Sequence, residues 1–327
     1  MAIDNNQAPK ILTVGAAIQD VFLSNSPAFE SIRVEATHDF TELELGAKID
    51  VNKVDFSTGG GATNAAVTFA RQGLQASFMG VIGEDIPGNA VLENLDLEGI
   101  DTSRAVTSSD YNTDYSTVLL APNGERTILT YRGASSQIDT SSFKLARGEF
   151  DWIYVSNLSG RMDALDKIFT EAKRTGAKIA WNPGKKELVE VQKTKALLED
   201  VDILLVNKEE AQHIFEGDSL KELVYHALNL VNTIIITDGP NGVLASDGKT
   251  IVRAGMYEDV ASIDRTGAGD AFGSGFLSQW SQGADLKQSL LFASANSTSV
   301  IQYIGAKTGI LYRGADLHPM PMHEEEI

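Results

Sequence analysis

Short apolar runs alternate with segments of helical periodicity along most of this chain, and that alternation limits the folds open to it. "ILTVGAAIQDVFL" (Ile11 to Leu23) starts as a buried strand, "ATNAAVTFARQG" reads as a helix closed by glycine, and "SFMGVIG" is the next strand. After the helical "NAVLENLDLEG" the pattern changes: "DYSTVLLAPNGERTILTYRG" (Asp114 to Gly133) is two alternating strands around Asn123-Gly124, a hairpin signal. The rhythm resumes with strands at "WIYVSNL", "KIAWNPG", "DILLVN" and "TIIITDG", each followed by helical periodicity. Strand, helix, strand in this order predicts a mostly parallel sheet covered on both faces. "VEATHDFTELELGAKIDVNKVDFS" (Val34 to Ser57) lacks helical period and reads as extended chain inserted alongside the hairpin. The biased tail "HPMPMHEEEI" reads as a solvated end.

Composition excludes several classes. With no cysteine among 327 residues there is neither a disulfide framework nor a thiolate metal site. A net charge of -18 argues against nucleic acid, whose phosphates need a basic surface. The start "MAIDNNQAPK" has no signal pattern and no segment is long and apolar enough for a bilayer, so a cytoplasmic address and no membrane partner are expected. Two phosphate motifs fail on spacing. "GVLASDGKT" has five residues between its glycines where a P-loop needs four, and reads as a hairpin around Asp247-Gly248. "GGGATNAA" puts Asn64 at the third glycine of a dinucleotide fingerprint.

Ligands of open parallel sheets bind beyond the carboxyl ends of the strands. Asp20, Asn64, Asn207, Glu210, Thr237 and Gly239 all follow strand patterns, so their polar groups are expected to converge on one cleft. "SIDRTGAGDAFGSGF" (Ser262 to Phe276) adds an unusual helix start. Gly267, Ala268 and Gly269 precede the helix, where backbone N–H groups lack intrahelical partners and the helix dipole favours an anion. Asp270 is itself an anion, so its chemical use there is to take a proton from a hydroxyl attacking a phosphorus held by those N–H groups. On these residues alone a plain first-turn acid after a tight loop stands level with that reading.

"DRTGAGDAF" together with "GGGATNAA" resembles the two signature segments of the ribokinase-like sugar kinases, the phosphofructokinase-B family, with the elements in family order from Gly15 to about Gly309. The resemblance implies a three-layer α/β/α sandwich with a mostly parallel central sheet and a small β-sheet lid. It treats the whole chain, 1–327, as one kinase domain, with a lid built from about 34–57 and 114–133. It also implies a kinase that uses ATP and Mg2+ to phosphorylate an alcohol, with Asp270 as base and Gly267, Ala268 and Gly269 as anion hole. Asp20, Gly60, Gly61 and Asn64 fall on substrate-facing positions, with Asn64 as a helix N-cap the alternative. Asn207 and Glu210 match an N-x-x-E segment near the phosphates and Mg2+, Glu210 acting through water, with ordinary first-turn acids as the alternative. Thr237, Gly239, Gly242 and Ser294 match nucleotide contacts, with Asn296 near the last. Asp264, Thr266 and Gly305 match positions that hold a monovalent cation such as K+ in several relatives.

Departures bear on the acceptor. Ribokinase has lysine where this chain has Gly61, and glutamate near Asn157, which counts against ribose. Arg132 and Arg161 could read a carboxylate or phosphate on the acceptor, or be surface ion pairs. The expected activity is ATP-dependent phosphorylation of a small polyol, a sugar or sugar acid. A nucleoside kinase of the same fold and a non-catalytic sugar-binding regulator are the alternatives. Exposed strand edges and an apolar lid face predict a homodimer through the lid.

Overall fold

The computed structural model describes residues 8–30, 32–35, 38–121 and 126–326. Its first apolar run divides into β1 (Lys10–Val14) and β2 (Ile18–Ser24), which part company at Gly15-Ala16-Ala17 and enter different sheets. A single-turn helix α1 (Pro27–Glu30) leads to β3 (Ile32–Glu35) and β4 (His38–Thr41), which pair only with each other. Strand β5 (Lys53–Gly59) runs directly into helix α2 (Gly61–Arg71). The run "SFMGVIG" also breaks, at Gly80, into β6 (Gln75–Met79) and β7 (Val81–Gly83). Helix α3 (Ile86–Leu97) follows, then β8 (Val106–Ser108), β9 (Asp114–Leu120) and β10 (Arg126–Tyr131).

Regular alternation then takes over: β11 (Trp152–Val155), α4 (Met162–Thr175), β12 (Lys178–Trp181), α5 (Val191–Leu198) and β13 (Ile203–Asn207). Helices α6 (Lys208–Ile214) and α7 (Leu220–Ala227) precede β14 (Thr233–Thr237). Strands β15 (Val243–Ser246) and β16 (Thr250–Ala254) form the expected hairpin, helices α8 (Ala268–Trp280) and α9 (Leu286–Val300) pack as a pair, and β17 (Met322–Glu326) closes the order.

The nine-stranded main sheet has the order β17-β16-β15-β14-β13-β12-β11-β1-β6. Pairing is parallel from β6 to β14 and antiparallel from β14 outward to β17. Successive strand residues feed opposite cores. Leu12, Val14, Ile153 and Val155 pack with the layer of α4 to α7, whereas Ile11, Trp152, Tyr154 and Leu205 pack with α2, α8 and α9. Both faces are covered, which is why these strands read as unbroken apolar runs. The sandwich and its small sheet are the architecture the sequence resemblance implies.

Three expectations need correction. The small sheet has the order β10-β9-β2-β5, so the second half of the first apolar run belongs to it and Asp20 lies within β2 instead of after the first strand. Its β2–β9 pairing is parallel. Strands β3 and β4 pair only with each other, so only part of the 34–57 stretch joins the sheet. The acidic tail keeps its side chains largely exposed but is not free chain: β17 pairs with β16 across five register positions, and Lys221 and Lys287 form ion pairs with Glu325 and Glu324. The turn at Asn123-Gly124 lies outside the described residues, although the strands flanking it pair antiparallel.

Candidate active site

Two helices that begin with glycine meet at the mouth of the main sheet. Gly60 caps α2 with φ 98, and a Cβ there would stand 2.3 Å from the Ala16 carbonyl oxygen. Only glycine permits both the backbone angle and the approach. Asn64 therefore sits one turn inside α2 and is not its N-cap. Its side chain crosses to α8, where Nδ2 donates to Asp270 Oδ2 at 2.8 Å, and its Oδ1 is buried with no partner among the described residues. Burial pushes the Asp270 carboxyl above the usual carboxylate range, against the opposing pull of the Asn64 hydrogen bond and the Lys307 charge.

The start of α8 supplies donors beside this carboxylate. Gly267 takes φ 78, and a Cβ on it would meet Ala306 Cβ at 2.3 Å. Ala268 N–H reaches the Arg265 carbonyl at 3.3 Å, whereas the N–H groups of Gly267, Gly269 and Asp270 carry no hydrogen bond among the described residues. Nothing lies within 4 Å of where a Gly269 Cβ would be, so the chain is open to approach beside that donor. A cleft of about 430 Å³ opens there, and its lining includes Ala268, Gly269, Thr237, Gly239, Gly242 and Ser294. Residues spread from 237 to 294 in sequence thus share one cavity. Asn296 does not line it. That side chain is buried, donates to the Ala271 carbonyl and accepts from Leu311 N–H.

On the other side, Asp20 is buried in β2 with Oδ1 accepting from Ser116 Oγ on β9. Burial raises its carboxyl, while Ser116, Lys307 and Arg132 pull the other way. A Cβ on Gly59 would stand 2.3 Å from Asp20 Oδ2, so the end of β5 must be bare for this carboxylate to sit where it does. Gly61 is similarly close: a Cβ there would be 3.1 Å from Asp270 Oδ1. Arg132 Nη1 lies 3.7 Å from Asp114 Oδ2 and remains half exposed. Arg161 is spent on Asp163 through two hydrogen bonds of 2.9 and 2.7 Å at the exposed start of α4.

A partly buried carboxylate next to free helix-start donors, a cleft of about 430 Å³ lined by the start of that helix, and a second, buried carboxylate in β2 are parts that phosphoryl transfer requires. Residues 30–311 match the family described as "pfkB family carbohydrate kinase". The chain belongs to that family. As a pfkB kinase it is a phosphotransferase with an alcohol acceptor. The ribokinase of Haemophilus influenzae is 27% identical over 265 residues, covering 77% of this chain and 83% of its own length. A candidate Ribokinase II of E. coli, solved in complex with ATP and Mg2+, superposes with a TM-score of 0.77 at 19% identity, covering 93% of this chain and 96% of its own. A nucleoside kinase of Burkholderia thailandensis, solved with inosine, gives a TM-score of 0.74 at 20% identity, covering 93% and 95%. At such identities the two structures carry the fold alone.

In this pfkB kinase Asn207 and Glu210 form a reciprocal capping box at the start of α6: Asn207 Oδ1 accepts from Glu210 N–H and Glu210 Oε2 from Asn207 N–H, both at 2.9 Å. Burial raises the Glu210 carboxyl, and no hydrogen bond among the described residues falls on its second oxygen. No group of three or more acidic or histidine side chains gathers to hold a metal among the described residues. Mg2+ keeps most of its shell as water and phosphate oxygens, so one free carboxylate oxygen fits a nucleotide-borne ion. Among the described residues no helix is long and apolar enough to cross a membrane.

Sequence reasoning missed Lys307. Its Nζ donates to Thr58 Oγ1 at 2.8 Å and Asn94 Oδ1 at 3.2 Å, and burial pulls its ammonium down to about 7 although Asp20, Glu98 and Asp270 resist. No motif marks it. Its charge matters because the fold brings residue 307 close enough to act on both the Asp20 and Asp270 carboxylates.

Proposed function

We propose that this pfkB kinase transfers the γ-phosphate of ATP to a hydroxyl of a sugar or sugar acid, with Asp270 as general base. The observation that carries the reading is the pairing of the partly buried Asp270, held by Asn64, with the unpartnered N–H groups of Gly267 and Gly269, the latter lining the cleft. Asp270 removes the hydroxyl proton, and the N–H groups stabilise charge on the transferring phosphoryl group. Thr237, Gly239, Gly242 and Ser294 line the nucleotide side. Asp20 accepts from acceptor hydroxyls, while Asn64, Gly60 and Gly61 shape the approach and Arg132 borders the entrance. Mg2+, when bound with ATP, would neutralise charge on the phosphates, and Glu210 and Asn207 are the residues that would hold it through water. Gly61 in place of ribokinase's lysine favours an acceptor other than ribose.

The small sheet also favours a homodimer. Phe56 and Leu129 share one face of it through Val21 and Thr117, at 74% and 58% exposure. A second copy would cover that apolar face. Light scattering that finds only monomer at working concentration contradicts the dimer. For the activity, a coupled ADP-release screen across sugars, sugar acids, sugar phosphates and nucleosides is the test. Highest kcat/KM on a sugar or sugar acid is expected; turnover confined to nucleosides, or none with any acceptor, overturns the reading.

A further inference from the structure

Asp264 is fully buried two residues before the loop that opens α8. Its Oδ1 accepts from Thr266 N–H at 3.0 Å and Thr266 Oγ1 at 2.7 Å, and its Oδ2 accepts from Gly305 N–H at 3.0 Å. One carboxylate therefore ties together the two segments that pack at Gly267 and Ala306. A buried carboxylate needs a counter-charge. Three of the carboxylate's roughly four lone pairs already receive donors, so a monovalent cation has little to bind here while another positive charge stands beside it. The charge that does approach is Arg126 at the start of β10, whose Nε is 3.8 Å from Asp264 Oδ1. That Nε is buried and has no hydrogen-bond partner among the described residues. Arg126 belongs to the small sheet and Asp264 to the main body, so the pair bridges the two. The sheet meets the same loop elsewhere: a Cβ on Gly305 would stand 2.6 Å from Ser57 Oγ of β5.

We propose that Arg126 is a positioning residue: its guanidinium, carried by the lid, is the counter-charge of Asp264 and fixes the loop that presents the anion-hole N–H groups, in place of an added monovalent cation. The link to phosphate binding rests on the functional reading above.

The test compares wild type, Arg126→Gln and Arg126→Lys in potassium and in N-methylglucamine buffers of equal ionic strength. It reads the thermal midpoint without ligand and the affinity for ATP with Mg2+ by calorimetry. Wild type and Arg126→Lys should give the same midpoint and affinity in both buffers. Arg126→Gln should melt lower and bind ATP at least about tenfold more weakly in N-methylglucamine, because it leaves a buried charge without its partner, and potassium should restore most of both. A wild type that loses stability or affinity without potassium overturns the proposal. So does an Arg126→Gln protein that matches wild type in both buffers, or whose defect potassium does not relieve. If no acceptor is ever phosphorylated, the functional reading fails, while the midpoints still decide the role of Arg126.

Discussion

Asp270 and Asn64 stand 206 positions apart and share a 2.8 Å hydrogen bond, which no spacing rule could reveal. Asp270 itself was legible, because glycines on either side of an acid at a helix start are costly without a ligand to admit. Asn64 was legible only as a polar group near the cleft; the N-cap reading failed because Gly60 already occupies the cap with a backbone angle asparagine rarely takes. Burial is the largest influence on Asp270 and raises its carboxyl. The sign follows from linkage. A base works ionised, so kcat/KM should rise with pH through a midpoint above the ordinary carboxylate value of about 3.9. Between that value and the raised one the folded state holds more protons than the unfolded chain, so this residue's contribution to stability falls as pH rises. A pH profile on the best acceptor whose acid limb lies at or below the ordinary value contradicts this.

At the scale of elements, the start of α8 separates two kinds of glycine. Gly267 is held at φ 78 against Ala306, so alanine there would cost about 1–2 kcal/mol for the backbone angle alone, before any steric shift. Gly269 has no such constraint, since a methyl group in its place would meet nothing within 4 Å. Alanine is the better helix former by up to about 1 kcal/mol, so Gly269→Ala should fold at least as stably as wild type. It should nevertheless bind ATP weakly and turn over slowly, because the methyl fills the space the phosphate needs. Denaturant titration and steady-state kinetics on this one variant check both halves; normal turnover would show that the N–H groups are not approached from that side. The same scale shows where sequence patterns ran out. The run from Ile11 to Leu23 is continuous in hydrophobicity, yet the chain turns at Gly15 and sends β2 to the second sheet, placing Asp20. Strand β17 was invisible because its support is backbone pairing and two lysine–glutamate contacts instead of apolar alternation.

Across the whole molecule, parallel strands buried on both faces made the main sheet readable, since each apolar run needs cover from two helix layers. The relation between the two sheets was not readable. It depends on Lys307 reaching Thr58, on Arg126 approaching Asp264 and on Gly305 lying against Ser57, contacts between segments with no common period. Those contacts bring Lys307 close enough to Asp20 and Asp270 for its charge to act on both carboxylates, and the start of α8 lines a cleft together with Thr237, Gly239, Gly242 and Ser294. The direct test of that arrangement is Asp270→Asn, followed for turnover, ATP affinity and thermal midpoint on the same preparation. Asparagine can still accept from Asn64 but cannot take a proton. Turnover should fall by about 10²–10⁴-fold or more, with ATP affinity nearly unchanged. The midpoint at neutral pH should hold or rise, because a partly desolvated charge has been removed. A variant with near-normal turnover, or one whose only defect is a lowered midpoint, would contradict Asp270 as the base.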